Sequence, residues 1–297
     1  MTTATEISRV EPGTFDWSAG AGIAADVRRV VADAAAEDGS APLDEAAELT
    51  LRHHGLDGSE LWVAGDEGFA WRHDGNLDLA VTPTARGRGI GRALASAATS
   101  AEGPLTAWSH GNHPAAATLA DRFGFERVRD LWVMRRALSG LPAMPEHADG
   151  VDVRPFRVGA DEEPFLALNA EAFAHHPEQG GMTRAHLDER MAEPWFDPAG
   201  FFVAERAGEL LGFHWTKVHD AAPAFGEVYV VGVSPRAQGG GLGRRLTLTG
   251  LYHLASRGLD EVILYVESDN APAVTVYERL GFTHAPADTH VQYARHR

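Results

Sequence analysis

The chain contains no cysteine, which removes disulfides, thiolate metal ligands and cysteine nucleophiles from consideration. It has no apolar run long enough to cross a bilayer, and its first residues, Met1-Thr-Thr-Ala-Thr-Glu-Ile-Ser-Arg-Val, hold no apolar stretch of the length a secretion signal needs. A cytoplasmic protein without a membrane partner is therefore expected. Basic residues are scarce beside acidic ones, 26 Lys and Arg against 42 Asp and Glu, for a net charge of −16. A nonspecific nucleic-acid binder must present a dominant basic surface, so no nucleic-acid partner is expected, and a solvated acidic surface is the plain reading. Histidine is plentiful, but the pairs His53/His54 and His175/His176 are adjacent, and adjacent residues on a helix point apart. No His-x-x-x-His pair with an acidic companion occurs, and no metal is expected.

What the chain does contain is the same phrase twice, 152 positions apart: Val81-Thr-Pro-Thr-Ala-Arg86-Gly-Arg-Gly89-Ile-Gly91 and Val233-Ser-Pro-Arg-Ala-Gln238-Gly-Gly-Gly241-Leu-Gly243. Each copy follows a strand-like run and opens a helix-like one. Such a turn offers unpaired backbone N–H groups and the positive end of a helix dipole to a pyrophosphate. The repeat continues downstream: Asn112-His-Pro-Ala-Ala-Ala-Thr-Leu-Ala-Asp-Arg-Phe-Gly-Phe125 matches Asn270-Ala-Pro-Ala-Val-Thr-Val-Tyr-Glu-Arg-Leu-Gly-Phe282 with one residue of slippage. At 297 residues the chain suits two cores better than one, and the duplication divides it into residues 1–140 and 151–297, joined by a Gly- and Pro-containing connector at 141–150.

The pattern predicts helices near 24–36 and 43–54, strands at 61–65, 68–72 and 76–82, a helix from 89, a strand at 105–109, the Asn112 helix and a strand at 131–137. The second half repeats the plan: a strand at 151–155, helices at 161–173 and 184–192, and strands at 200–206, 209–218 and 226–233. A helix from 241, a strand at 261–267, the Asn270 helix and a strand at 289–294 follow. Strands first and then alternating strand and helix describe an α/β unit with a mixed sheet.

Val-x-Pro-x-x-(Gln/Arg)-x-x-Gly-x-Gly after a strand, followed by the Asn…Gly-Phe segment, resembles motifs A and B of the GCN5-related N-acetyltransferases, the GNAT family. The resemblance implies two tandem GNAT domains, each a central mixed β-sheet flanked by helices, with acetyl-CoA as co-substrate. Carried onto the second half, it implies that Val231, Gly232 and Val233 bond the pantetheine arm. Gln238, Gly239, Gly240, Gly241, Leu242, Gly243 and Arg244 would hold the pyrophosphate, and Asn270, Ala271, Pro272, Ala273, Val274 and Thr275 the distal edge of the cofactor. In the first half, Leu79, Ala80, Val81, Arg86, Gly87, Arg88, Gly89, Ile90 and Gly91 would hold a second, structural acetyl-CoA.

Further strings, among them His176-Pro-Glu-Gln-Gly-Gly181, Trp195-Phe-Asp-Pro198, Leu211-Gly-Phe-His-Trp-Thr-Lys217 and Leu264-Tyr-Val-Glu-Ser-Asp-Asn270, resemble a tandem branch of the family that acetylates a cysteinyl-glucosaminyl-inositol. That resemblance implies an enzyme with a small-molecule acceptor held by Glu178, Lys217, Glu227, Tyr265 and, from the first half, Glu45; a monomer is expected. Four of them have a plain alternative: Glu178 and Lys217 as solvated charges, Tyr265 as a core tyrosine, Glu45 as a carboxylate on a solvated helix face. Another amine, such as an antibiotic or a protein N-terminus, or a non-enzymatic acetyl-CoA-sensing role, remain the competing functions.

Attack of an amine on a thioester needs a neutral nucleophile and a proton for the departing thiolate. Glu227, eleven residues before Gln238, is the candidate base, and Tyr277 on the Asn270 helix is the candidate acid. The same offsets in the first half give Gly75 and Ala120, neither of which can transfer a proton. Chemistry is therefore expected in the second half and only cofactor retention in the first.

Overall fold

The computed structural model describes residues 6–145, 150–174 and 179–296. In chain order the elements are β1 (Ser8–Arg9), α1 (Ile23–Asp38), α2 (Glu45–His53), β2 (Glu60–Val63), β3 (Gly68–His73), β4 (Asn76–Val81), α3 (Ile90–Ala98), β5 (Leu105–Ser109), α4 (Pro114–Arg122) and β6 (Glu126–Ala137). They continue as β7 (Asp152–Pro155), α5 (Glu162–Ala172), α6 (Arg184–Met191), β8 (Phe201–Arg206), β9 (Glu209–His219), β10 (Phe225–Val233), α7 (Leu242–Ser256), β11 (Glu261–Glu267), α8 (Ala271–Arg279) and β12 (Thr283–Arg295). The strands that end each motif region start earlier than their apolar cores suggested, β6 at Glu126 and β12 at Thr283.

Two compact units emerge. Unit 1 comprises residues 1–132 with 267–269 and 285–297, and unit 2 comprises 133–266 with 270–284. The division departs from the boundaries read in the sequence in three places: residues 133–140 fall in unit 2, residues 267–269 fall in unit 1, and from residue 285 onward β12 belongs to unit 1, where Val291–Arg295 pair antiparallel with Ser109–Leu105 of β5.

In unit 1, β1 to β4 run antiparallel and β4 meets β5 in parallel. Helices α1 and α2 pack on one side of the sheet through Val27, Val30, Val31, Ala47 and Leu51 against Phe69 and Trp71. On the other side α3 contributes Ile90, Leu94 and Ala98. The local signals agree with this placement. Asp44 caps α2 by accepting from the Ala47 N–H, and Glu45 and Glu48 stand in its first turn with Arg52 and His53 in its last, the charge order a helix dipole favours.

Unit 2 repeats the arrangement: β7, β8, β9 and β10 are antiparallel neighbours and β10 runs parallel to β11. Alternation along β9 sorts its side chains. His214 hydrogen-bonds the Leu246 carbonyl of α7 on one side, while Phe213 and Trp215 join Phe165 and Leu187 of α5 and α6 on the other. Phe156, Phe201 and Trp215 form a ladder of parallel rings with centroids 4.3 and 4.6 Å apart, and Phe165 closes edge-on against Phe201 and Phe213. These stacked and edge-to-face contacts make the floor under the candidate site rigid.

Candidate active site

In unit 2 the strands β10 and β11 pair through Gly226↔Val262, Glu227↔Ile263 and Val228↔Leu264. Beyond Val228 no further pair joins them among the described residues, although β10 runs on to Val233 and β11 to Glu267. The open edge at Val231–Val233 can therefore accept an extended amide chain as a sheet accepts a strand. Gly232 is fixed by packing: a Cβ there would lie 2.7 Å from the Phe213 ring.

The chain then turns into α7 through Gly239 and Gly241, at φ 85° and 79°, conformations that side chains other than glycine rarely adopt. Gly241 is the N-cap of α7, so Leu242, Gly243 and Arg244 present the first N–H groups of a 15-residue helix. The Gln238 side chain folds back, its Nε2 donating to the Val233 carbonyl at 3.3 Å and closing the loop on its own strand. On α8, Asn270 caps the helix by accepting from the Ala273 N–H, and Ala271 and Pro272 form the first turn.

Glu227 lies on β10 one residue before the splay, with its side chain 8% exposed. Its register partner on β9 is Lys217, so the two side chains share a face. The Lys217 ammonium sits over the rings of Trp195 and Tyr229, 4.6 and 5.4 Å from their centroids, instead of in solvent. Tyr229 in turn accepts a hydrogen bond from Arg190 Nε at 2.9 Å. Tyr265 is the first residue of β11 past the last pair and is 42% exposed, which removes the core-tyrosine alternative. Tyr277 on α8 packs edge-on against Phe282, and burial of its hydroxyl pushes it up to about 12. Glu178 lies outside the described residues. Glu45 opens α2 in unit 1.

Sequence reading missed one residue that the geometry brings in. His219, opposite Phe225 and diagonal to Glu227, has its Nε2 2.6 Å from Glu227 Oε2, and its ring stacks on Phe225 at 4.4 Å. The available signal was the alternation Trp215, Lys217, His219 along one face of β9.

Unit 1 repeats the loop but not the side chains Glu227 and Tyr277. Gly87 and Gly89 take φ 75° and 87°, and Gly89 caps α3, as Gly239 and Gly241 do for α7. Arg86 repeats the closure made by Gln238, with Nε donating to the Val81 carbonyl at 3.1 Å, and its guanidinium forms a bidentate pair with Asp38 at 2.7 Å that holds the Asp38 carboxyl below its usual range. One correspondence needs correction. Counting residues sets Gly75 opposite Glu227, but β10 carries a bulge between Val228 and Val230 that consumes one residue. By register, Lys217↔Glu227 corresponds to His73↔Asn76, so the counterpart of Glu227 is Asn76, whose amide accepts from Thr106 Oγ1 at 2.5 Å. Asn76 cannot act as a base either. His73 is engaged with Asp78 at 2.7 Å. The Ala120/Tyr277 correspondence stands, since Phe125 and Phe282 donate their N–H groups to the carbonyls of Ala120 and Tyr277 respectively.

Residues 57–127 match the model of an acetyltransferase (GNAT) domain and residues 168–282 that of the acetyltransferase (GNAT) family. A protein of Nocardioides described as mycothiol acetyltransferase is 55% identical over 92% of this chain and 99% of its own, and one of Thermobispora bispora with the same description is 52% identical over 89% and 94%.

The chain belongs to the mycothiol acetyltransferase family.

Among solved structures, a GCN5-related N-acetyltransferase from Sphaerobacter thermophilus superimposes with a TM-score of 0.65 at 26% identity, covering 90% of each chain. A tandem GNAT protein from the clavulanic acid biosynthesis pathway shares the fold, with a TM-score of 0.62 over 80% of this chain and 82% of that one, at 21% identity. Both units of this mycothiol acetyltransferase family member are thus GNAT domains, and the fold is the tandem α/β arrangement expected. Among the described residues no helix is long and apolar enough to cross a membrane, and no cluster of three or more His, Asp or Glu is arranged to hold a metal.

Proposed function

We propose that this chain transfers acetyl from acetyl-CoA to the cysteinyl amine of 1D-myo-inositol 2-(L-cysteinylamino)-2-deoxy-α-D-glucopyranoside, giving mycothiol and CoA, and that unit 2 performs the reaction. The supporting observation is the buried Glu227 carboxylate on the splaying strand, beside Lys217 and fixed by His219. An α-amine has a reference pKa of about 7.7 to 8.0, so a carboxylate acting directly or through water is a sufficient base to expose the nitrogen lone pair. The neutral amine attacks the thioester carbon, the C–N bond forms as the C–S bond breaks, and the nitrogen's surplus proton leaves through Glu227. Backbone N–H groups at the splay near Val233 polarise the carbonyl.

Tyr277 serves the departing sulfur. With its hydroxyl near 12 and a thiol near 8.5, complete proton transfer from this phenol would run uphill by about 5 kcal/mol, so Tyr277 stabilises the thiolate as a hydrogen-bond donor. Around the acceptor, Glu178, Lys217, Glu227 and Tyr265 would supply the charges and hydroxyls that a polar sugar conjugate needs. The coenzyme's supply suits a cytoplasmic enzyme.

Unit 1 would hold a coenzyme A thioester without turning it over. Gly87, Gly89 and the α3 N-terminus support binding, while Asn76 and Ala120 stand where proton-handling groups would be needed. Incubating the purified chain with acetyl-CoA and the cysteinyl-glucosaminyl-inositol tests the main reading. N-acetylated acceptor and stoichiometric CoA are expected. Turnover on unrelated amines with none on this acceptor would overturn it, and so would tight acetyl-CoA binding with no turnover at all.

A further inference from the structure

We propose that the coenzyme A site of unit 1 accepts a thioester with an acyl chain longer than acetyl, a short-chain acyl-CoA of about four to six carbons. The inference rests on the reading that unit 1 holds a coenzyme A thioester, and it goes further by assigning the acyl group from a cavity.

Strands β4 and β5 of unit 1 share one parallel pair, Asn76↔Thr106. Past that pair, Leu77 and Leu79 of β4 and Ala107 of β5 line a mostly apolar, half-open pocket of about 100 Å³ together with Ala120, Phe123 and Phe125. At part of its wall unit 1 carries smaller side chains than unit 2 does at the corresponding positions. Ala120 stands where unit 2 has Tyr277, and Phe125 where Phe282 lies edge-on to that tyrosine's ring. The register that matches Asn76↔Thr106 to Glu227↔Ile263 also sets Ala107 against Leu264, which is 1% exposed. The offset of the two loops sets Thr99, another wall residue, against the fully buried Leu251. Three wall positions are thus smaller in unit 1, while Leu77, Leu79 and Phe123 stand where unit 2 has Val228, Val231 and Leu280.

The position relative to the loop matters as much as the volume. A pyrophosphate at Arg86–Ile90 and a pantetheine arm paired along Val81 to Leu79 would bring the thioester toward Leu77, at the mouth of the cavity. The Thr99 hydroxyl is turned to the Ala95 carbonyl at 2.7 Å, and most of the pocket's lining is apolar. An apolar cavity of roughly 150 Å³ accommodates a six-carbon ring, so 100 Å³ accommodates about four carbons beyond the thioester carbonyl. Each buried methylene should tighten binding about fourfold.

The test isolates each site in the full chain. Gly240→Glu places a carboxylate on the unit 2 loop where a Cβ meets nothing within 4 Å, and Arg88→Glu does the same at the matching position of unit 1. Acetyl-, butyryl- and hexanoyl-CoA are titrated calorimetrically into both variants. In the Gly240→Glu protein, butyryl- and hexanoyl-CoA should bind at least about tenfold tighter than acetyl-CoA, and adding Ala120→Leu, which fills the cavity, should abolish that preference. Acetyl-CoA binding as tightly as the longer thioesters would overturn the chain-length assignment. No thioester bound by Gly240→Glu, with one bound by Arg88→Glu, would overturn the underlying reading of unit 1 and the proposal with it. A preference that survives Ala120→Leu would show that the acyl chain lies elsewhere.

Discussion

The Nε2 of His219 lies 2.6 Å from Oε2 of Glu227, a diagonal contact between β9 and β10 on the face that also carries Lys217. An ionised carboxylate can only accept, so the ring donates, and the stack of the ring on Phe225 fixes the direction of that donation. One carboxylate oxygen is thereby committed to the protein and the other is aimed.

His219→Ala should therefore lower kcat/KM for the amine by about ten- to a hundredfold, the value of a hydrogen bond to a charged group. His219→Gln, which keeps a donor, should recover most of the loss. Acetyl-CoA affinity, measured by calorimetry, should be unchanged in both, because the contact is remote from the Gly239–Gly241 loop. Equal rates in wild type and His219→Ala would show that the carboxylate is held by other groups.

Tyr277→Phe should slow acetyl transfer by about ten- to a hundredfold, less than loss of the base, because the phenol contributes a hydrogen bond and not a transferred proton. With the hydroxyl near 12, the rate should show no alkaline limb attributable to Tyr277 up to about pH 10. A limb near pH 9 that vanishes in Tyr277→Phe would contradict this assignment.

Stability should respond to acid through His214. The ring is fully buried, its Nδ1–H donates to the Leu246 carbonyl at 2.8 Å, and burial pulls its pKa from 6.5 down to about 4. The native state keeps this base neutral while the unfolded chain protonates it below about 6.5. The contribution is therefore complete above that pH and is lost as pH falls toward 4, about 3 kcal/mol in all. Urea unfolding at pH 7 and pH 4 should show a correspondingly smaller drop for His214→Gln than for wild type; an equal drop would place the acid sensitivity elsewhere.

The loops and their helices were legible because glycine at φ 75° to 87° leaves a mark in sequence, and the two copies carry it at matching positions, Gly87 with Gly239 and Gly89 with Gly241. The place of Glu227 on β10 was legible from its distance to Gln238. The bulge after Val228 was not, because neither glycine nor proline marks it, and it moved the first-unit counterpart from Gly75 to Asn76. His219 escaped for a related reason: it meets Glu227 through strand pairing eight residues away, and register is a tertiary property. The membership of residues 285–297 in unit 1 likewise had no local signature, since an alternating strand does not encode which sheet it joins.

The central claim is that Glu227 is the base and unit 2 the site of transfer. The most direct test is the single-turnover rate of acetyl transfer to the cysteinyl-glucosaminyl-inositol at saturating acetyl-CoA, compared between wild type and Glu227→Gln. A fall of roughly 10² to 10⁴ with acetyl-CoA affinity intact is expected. An unchanged rate would contradict the claim.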